Sequence, residues 1–284
     1  MAFMGRTDLA CESPHLSQFR KMREKGIIAD SGSLDGLELF SVEIISDEGA
    51  EILGKPIGSY YTLSLSAALP LSSESLNTSV GAIAKLIKKC VPDYDRDKTV
   101  LIAALGNPDI TPDAIGPLTA SNILVTAHLK KRGIEGFENF SSTVLCRTGV
   151  LGTTGVESAQ QIKCLCERVR PGLVIAVDAL AGTDVNRLCR SVQICDSGIS
   201  PGSGVGNDRE ELSRESLGVP VIALGVPTVI DASALSQQEG VEHMFVTPRD
   251  IDSLVRSAGR ILGYGINMAL HPGLSIEDME MLVG

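Results

Sequence analysis

From residue 99 onward, apolar positions fall into short dense runs separated by stretches of helical periodicity. TVLIAAL (99–105), STVLC (142–146), GLVIAVD (172–178), SVQICD (191–196) and VPVIALG (219–225) each read as a strand. Between them, PLTASNILVTAHLKKRG (117–133) and VESAQQIKCLCERV (156–169) repeat apolar residues at helical spacing. SLNTSVGAIAKLIKKC (75–90) predicts an earlier amphipathic helix, and TPRDIDSLVRSAGRILGYGINMAL (247–270) a long last one opened by Thr-Pro. Upstream, LELFSVEII and SYYTLSLSA read as extended segments around a turn, and GIIADSGSLDG (26–36) as turn-like chain.

Strands this apolar, alternating with helices, imply an α/β fold: a mostly parallel sheet with helices on both faces, carrying an N-terminal extension and hairpin. No internal repeat or linker divides the chain, so one compact domain with an N-terminal extension is expected. Hydrophobic content of 43% with only 4% aromatics and 29 glycines fits a core of small aliphatic side chains. A net charge of −10 argues against a nucleic-acid partner. The start lacks the apolar region of a signal peptide, and no apolar run is long enough for a membrane span, so a cytoplasmic protein is expected. Seven cysteines, none in a C-x-x-C pair, suggest reduced thiols rather than a zinc site.

Candidate chemistry gathers where strands end, because a parallel sheet delivers its C-terminal strand ends to one edge. Asp113 follows TVLIAAL and Asp178 ends GLVIAV, so the two carboxylates can converge on one crevice. Two carboxyls sharing a site divide their pKa values, leaving one as base and one as acid for work on water. The plainer alternatives are a helix N-terminus stabilised by Asp113, and a ribose or metal ligand at Asp178. Asp109, after Asn107-Pro108, reads as a solvated turn residue, and so does Asp30 in the first Asp-Ser-Gly. Asp196, in the second Asp-Ser-Gly, is a third candidate for the crevice. In GTTGVES the spacing of Thr154 and Glu157 reads as a capping box. The backbone N–H groups around Thr153 and Thr154 suit an oxyanion or a substrate carbonyl. The Gly-rich stretches fit neither dinucleotide nor P-loop fingerprints, and no His-containing cluster suggests a metalloprotease or a serine triad.

Five segments together resemble the spore germination protease family: RTDLACE (6–12), LGNPDITPDAIGP (105–117), GVLGTTGVES (149–158), VIAVDALA (174–181) and the long run CDSGISPGSGVGNDREELSRESLGVPVIALGVPTVIDA (195–232). The resemblance implies an atypical aspartic endopeptidase, unlike pepsin in fold and similar to hydrogenase-maturation peptidases. Its substrates would be small acid-soluble spore proteins, degraded in the spore core at germination. Asp113 and Asp178 match the catalytic aspartates, with no cofactor and no metal. The alternative is a metal-dependent maturation peptidase that uses the same aspartates as ligands.

The resemblance further implies a homotetrameric zymogen that trims its own N-terminus between Asp8 and Leu9, making residues 1–8 a propeptide-like segment and 9–284 the peptidase domain. Thr7-Asp8-Leu9-Ala10-Cys11-Glu12 then looks like the enzyme's own substrate, in the manner of Thr-Glu-Phe-Ala-Ser-Glu. Cutting after an acidic residue calls for a cation in the crevice, for which Arg147 and Arg209 are the candidates. Asn107, in the same GNPDITPDAIGP stretch as Asp113, is a further candidate supporting or substrate-binding residue. The five residues before Arg6 make a shorter leader than the family pattern suggests.

Overall fold

The computed structural model describes residues 7–18, 23–65, 72–91, 95, 97–203, 209–235 and 244–283. Nine strands are found among them: β1 (Ile27–Leu34), β2 (Leu37–Ile44), β3 (Gly58–Ser64), β4 (Val100–Leu105), β5 (Thr143–Gly149), β6 (Leu173–Gly182), β7 (Ser191–Cys195), β8 (Val221–Asp231) and β9 (Phe245–Val246). They join in one sheet of order β1-β2-β3-β7-β8-β6-β4-β5, with β9 on the far end of β8. The fold is α/β, as the alternation predicts. Its parallel part is the row β8-β6-β4-β5, and β1, β2, β3 and β7 extend it with antiparallel pairs.

The strands of the parallel row are apolar on both sides because both faces are covered. On one face α2 (Ser73–Cys90), α3 (Ile115–Ala120) and α6 (Ile251–Leu270) pack over Ile102, Ile175, Val177, Ile222 and Leu224. On the other, α5 (Ser158–Val169) sets Ala159, Ile162 and Cys166 against Leu101, Ala103, Val174 and Ala176. Farther along that second face, α1 (Asp47–Leu53) and the N-terminal segment cover Ile27, Val42, Ile44, Tyr60, Cys195 and Ala223. Cys164 and Cys166 of α5 are exposed and buried respectively, and all seven cysteines are free thiols.

Several expectations are corrected. Residues 27–34 are a strand rather than turn-like chain, and Asp30 lies inside it opposite Ser41. The signal was Asp35-Gly36, whose φ values of 53° and 83° make the two-residue loop of a tight hairpin. The turn expected between the next two extended segments contains α1, started by the Ser46 side chain accepting from the Gly49 N–H.

The single helix expected over 117–133 is two, α3 and α4 (Ala127–Lys131). Tertiary bonds take over between them: Leu124 N–H donates to Asn267 Oδ1, Asn267 Nδ2 donates to the Asn122 carbonyl, and Thr126 and Thr143 exchange bonds. The long last helix starts at Ile251, beyond the Thr-Pro, and is followed by α7 (Ile276–Val283). Residues 151–154 form a helical turn of their own. α5 therefore begins after Glu157 with no side-chain cap, and the capping-box reading fails.

Candidate active site

Asp178 does not end its strand. β6 runs on to Gly182, paired with β8, whereas β4 leaves the pairing at Ala104, opposite Val177. Asp178 is therefore the first residue of β6 past its pairing with β4, and its carboxyl faces the loop that follows β4. That loop turns back at once. Gly106 adopts φ 105°, and a Cβ there would lie 2.1 Å from the Asp113 carbonyl oxygen. The Asn107 N–H donates to Asp113 Oδ2 at 2.9 Å and also reaches the Asp113 carbonyl at 3.1 Å. Asp113 closes the 3₁₀ turn Thr111–Asp113, in which Pro112 sets the second position.

Both aspartates line one open cavity of about 550 Å³, together with Asp8, Leu180, Ala181 and Arg209 among others. Asp178 is 5% exposed. Burial raises its pKa to about 8, the negative charge of Asp113 pushes the same way, and the Ala179 N–H and Arg209 oppose them. Asp113 is raised as well by desolvation, but the Asn107 N–H and Arg209 favour its charged form. Two carboxyls in one crevice thus sit in unequal surroundings. Near neutrality Asp178 keeps its proton and Asp113 is the readier base.

The sheet also sets a row across the crevice floor. Gln193 of β7 and Asp178 of β6 both lie opposite Gly225 of β8, so their side chains leave the same face. A Cβ on Gly225 would lie 2.5 Å from the Leu180 side chain, so a larger residue there requires Leu180 to move. Residues 7–12 lie over this face. Asp8 N–H donates to the Ala181 carbonyl at 2.9 Å, and Ala181 N–H donates to Asp8 Oδ2 at 2.8 Å. Gln193 takes the place of a neighbouring strand: its Nε2 donates to the Asp8 carbonyl at 3.0 Å and its Oε1 accepts from the Ala10 N–H at 2.7 Å. Leu9 and Ala10 are fully buried, and interring a leucine side chain contributes about 1.5–3 kcal/mol to holding the segment. Glu12 anchors the far end by accepting from Thr183 N–H, Thr183 Oγ1 and Asp184 N–H.

Of the residues singled out from sequence, Asp8, Asp113, Asp178 and Arg209 line one cavity, and Asn107 and Leu9 adjoin it. Arg147 does not join them. It lines a separate pocket over α3 and donates to Ser121 Oγ. Asp196 is also elsewhere, because β7 runs antiparallel to β8 and carries its end away from the crevice. Its Oδ1 accepts from the Ser59 N–H. Thr153 and Thr154 direct their hydroxyls to the Val150 carbonyl, closing their own turn. Asp109 is exposed, its N–H donating to Asn107 Oδ1.

Sequence reasoning missed Gln193, Lys55 and Ser203. Gln193 carried a legible signal, as the one amide in the mostly apolar strand Ser191–Cys195. As for a metal, among the described residues no group of three or more His, Cys, Asp or Glu side chains is placed to hold one. No helix of the described residues is long and apolar enough to cross a membrane.

The family model described as germination protease matches residues 6–245. A germination protease of Caldanaerobacter subterraneus subsp. tengcongensis is 36% identical, over 98% of this chain and 98% of its own. One from Clostridium perfringens is 34% identical over 97% and 98%. One from Bacillus mycoides is 38% identical, over 92% of this chain and 69% of its own.

Proposed function

The chain belongs to the germination protease family and is an endopeptidase, and from that premise we propose that it hydrolyses small acid-soluble spore proteins with Asp113 and Asp178 as its acid–base pair. Asp113 takes a proton from water while the water oxygen forms a bond to the peptide carbonyl carbon. Asp178, still protonated, hydrogen-bonds the carbonyl oxygen and stabilises its developing charge. When the tetrahedral adduct collapses, the C–N bond breaks and the proton gained by Asp113 passes to the departing nitrogen. The two products differ from the substrate by one water.

One observation carries this reading: two carboxyls in unequal surroundings, Asp178 deeply buried and Asp113 less so, share a crevice with Asp8 of the N-terminal segment. The Asp8–Leu9 bond follows directly from that residue, which favours a zymogen that clips itself there. Residues 1–8 are then a removable leader and 9–284 the working peptidase domain, assembled as a homotetramer in the spore core. Arg209 stabilises the charged base.

The test is to offer purified Asp113→Asn and Asp178→Asn a peptide containing Thr-Glu-Phe-Ala-Ser-Glu. Wild-type turnover by either variant removes the pair from the mechanism.

A further inference from the structure

The Asp8 carboxylate is held from two sides, with Oδ2 accepting from the Ala181 N–H and Oδ1 from Ser203 Oγ, each at 2.8 Å. A second cavity of about 140 Å³ opens beside it, lined by Asp8, Lys55, Gln193 and Ser203 among others. Lys55 stands on a rigid corner. It follows Gly54, the left-handed end of α1, and precedes Pro56, whose carbonyl accepts from Tyr60 OH at 2.7 Å. Among the described residues Lys25 and Lys85 pair with surface carboxylates, whereas Lys55 makes no ion pair of that length and is half-buried in the cavity. Burial lowers its pKa, and the charge of Asp8 is the foremost influence favouring its protonated form.

We propose that Lys55, with Ser203 and the Ala181 N–H, forms a subsite that selects an acidic side chain immediately before the bond to be cut, a subsite occupied here by Asp8. This assignment rests on the peptidase reading and names a determinant of its specificity. All three groups can donate: Ser203 Oγ and the Ala181 N–H bond the Asp8 carboxylate directly, and Lys55 faces it through charge across the cavity. An amide offers one acceptor oxygen and no negative charge to Lys55, and an apolar side chain leaves the donors desolvated without partners. Space remaining beside Asp8 accommodates the additional methylene of glutamate. Arg209, by contrast, acts on Asp113 and Asp178, so the two cations serve different ends of the crevice.

The test compares the parent full-length chain with Lys55→Gln, Lys55→Glu and Ser203→Ala. Two peptides are used, Arg-Thr-Asp-Leu-Ala-Ser-Glu-Ser and its Asn counterpart. The parent is expected to prefer the Asp peptide by roughly tenfold or more in kcat/KM. Lys55→Gln brings that ratio close to one, chiefly through KM, Lys55→Glu inverts it, and Ser203→Ala lowers it in part. Hydrogen exchange at the Ala181 amide is followed on the same chains without any peptidase assay, and it accelerates in Lys55→Glu. If the parent cleaves and the ratio is the same in every variant, the subsite is overturned. If no chain cleaves either peptide even after intact mass shows residues 1–8 removed, the peptidase reading fails; in the untrimmed chains exchange then decides: faster exchange at Ala181 supports the subsite, unchanged exchange removes it.

Discussion

The Asn107 N–H donates at 2.9 Å to the carboxylate of Asp113, six residues along the same loop. The bond stabilises the charged form of Asp113; at Asp178 the Ala179 N–H donates at the same distance, but there it works against deeper burial and the negative charge of Asp113. The two acids are thereby separated in proton affinity by their immediate surroundings, and the pH behaviour of the protein follows from that separation.

The proposed mechanism requires Asp113 ionised and Asp178 protonated, so kcat/KM against pH is expected to be bell-shaped, with an alkaline limb near pH 8. Arg209 lowers both groups. Arg209→Gln therefore moves both limbs to higher pH, which a pH–rate profile on a short peptide reads directly. An alkaline limb that stays in place denies Arg209 its role.

Asp178 also makes stability depend on pH, with a sign opposite to that of a salt-bridged carboxylate. The folded chain keeps this proton up to about pH 8, while the unfolded chain releases it near 3.8. Its contribution is full below about 4 and is lost as pH rises toward 8. Asp178→Asn flattens that decline. Its melting temperature at pH 8 rises above the parent's by on the order of several degrees, while turnover drops by about 10²–10⁴-fold. Differential scanning calorimetry at pH 5 and pH 8 checks the slope, and a variant that melts lower at pH 8 contradicts it.

Gly106→Ala tests the turn that presents Asp113. The added methyl meets the Asp113 carbonyl, and φ 105° is unfavourable for alanine. A loss of about 1–3 kcal/mol in urea unfolding is expected. Activity is expected to fall further than stability accounts for, because the carbonyl that must move belongs to Asp113, the proposed base. Unchanged kinetics in a folded variant would show that the turn has slack.

Self-trimming is read by intact mass. Mild acidification or drying of the parent is expected to remove the first eight residues. Asp8→Asn and Gln193→Ala both slow that loss, the first by removing the carboxylate that bonds Ala181 N–H and the second by releasing the Asp8 carbonyl. Trimming of Gln193→Ala at the parent rate would leave the carbonyl contact without a part in processing.

Much of this site was legible in the sequence because strands such as Val100–Leu105 and Leu173–Gly182 are apolar on both sides and bounded by glycine and aspartate. Asp113 and Asp178 then follow from the rule that parallel strands share one functional edge. Periodicity carries no direction, however, and β7 looks like its parallel neighbours while running against them. Asp196 was misassigned for that reason. Arg147 was misassigned because an arginine at a strand end is equally at home on the neighbouring helix. Lys55 sits in the short turn after α1, and only tertiary structure brings it beside Asp8.

The grip of Gln193, Ala181 and Thr183 on residues 7–12 has a kinetic corollary. A tethered ligand meets its own groove at an effective concentration on the order of millimolar, whatever the dilution of the protein. On the proposed self-processing, visiting peptides face a resident competitor that cannot diffuse away. Cutting at Asp8–Leu9 would turn residues 1–8 alone into an ordinary solute while residues 9–12 stay tethered, so the site around Asp8 opens abruptly and does not reclose.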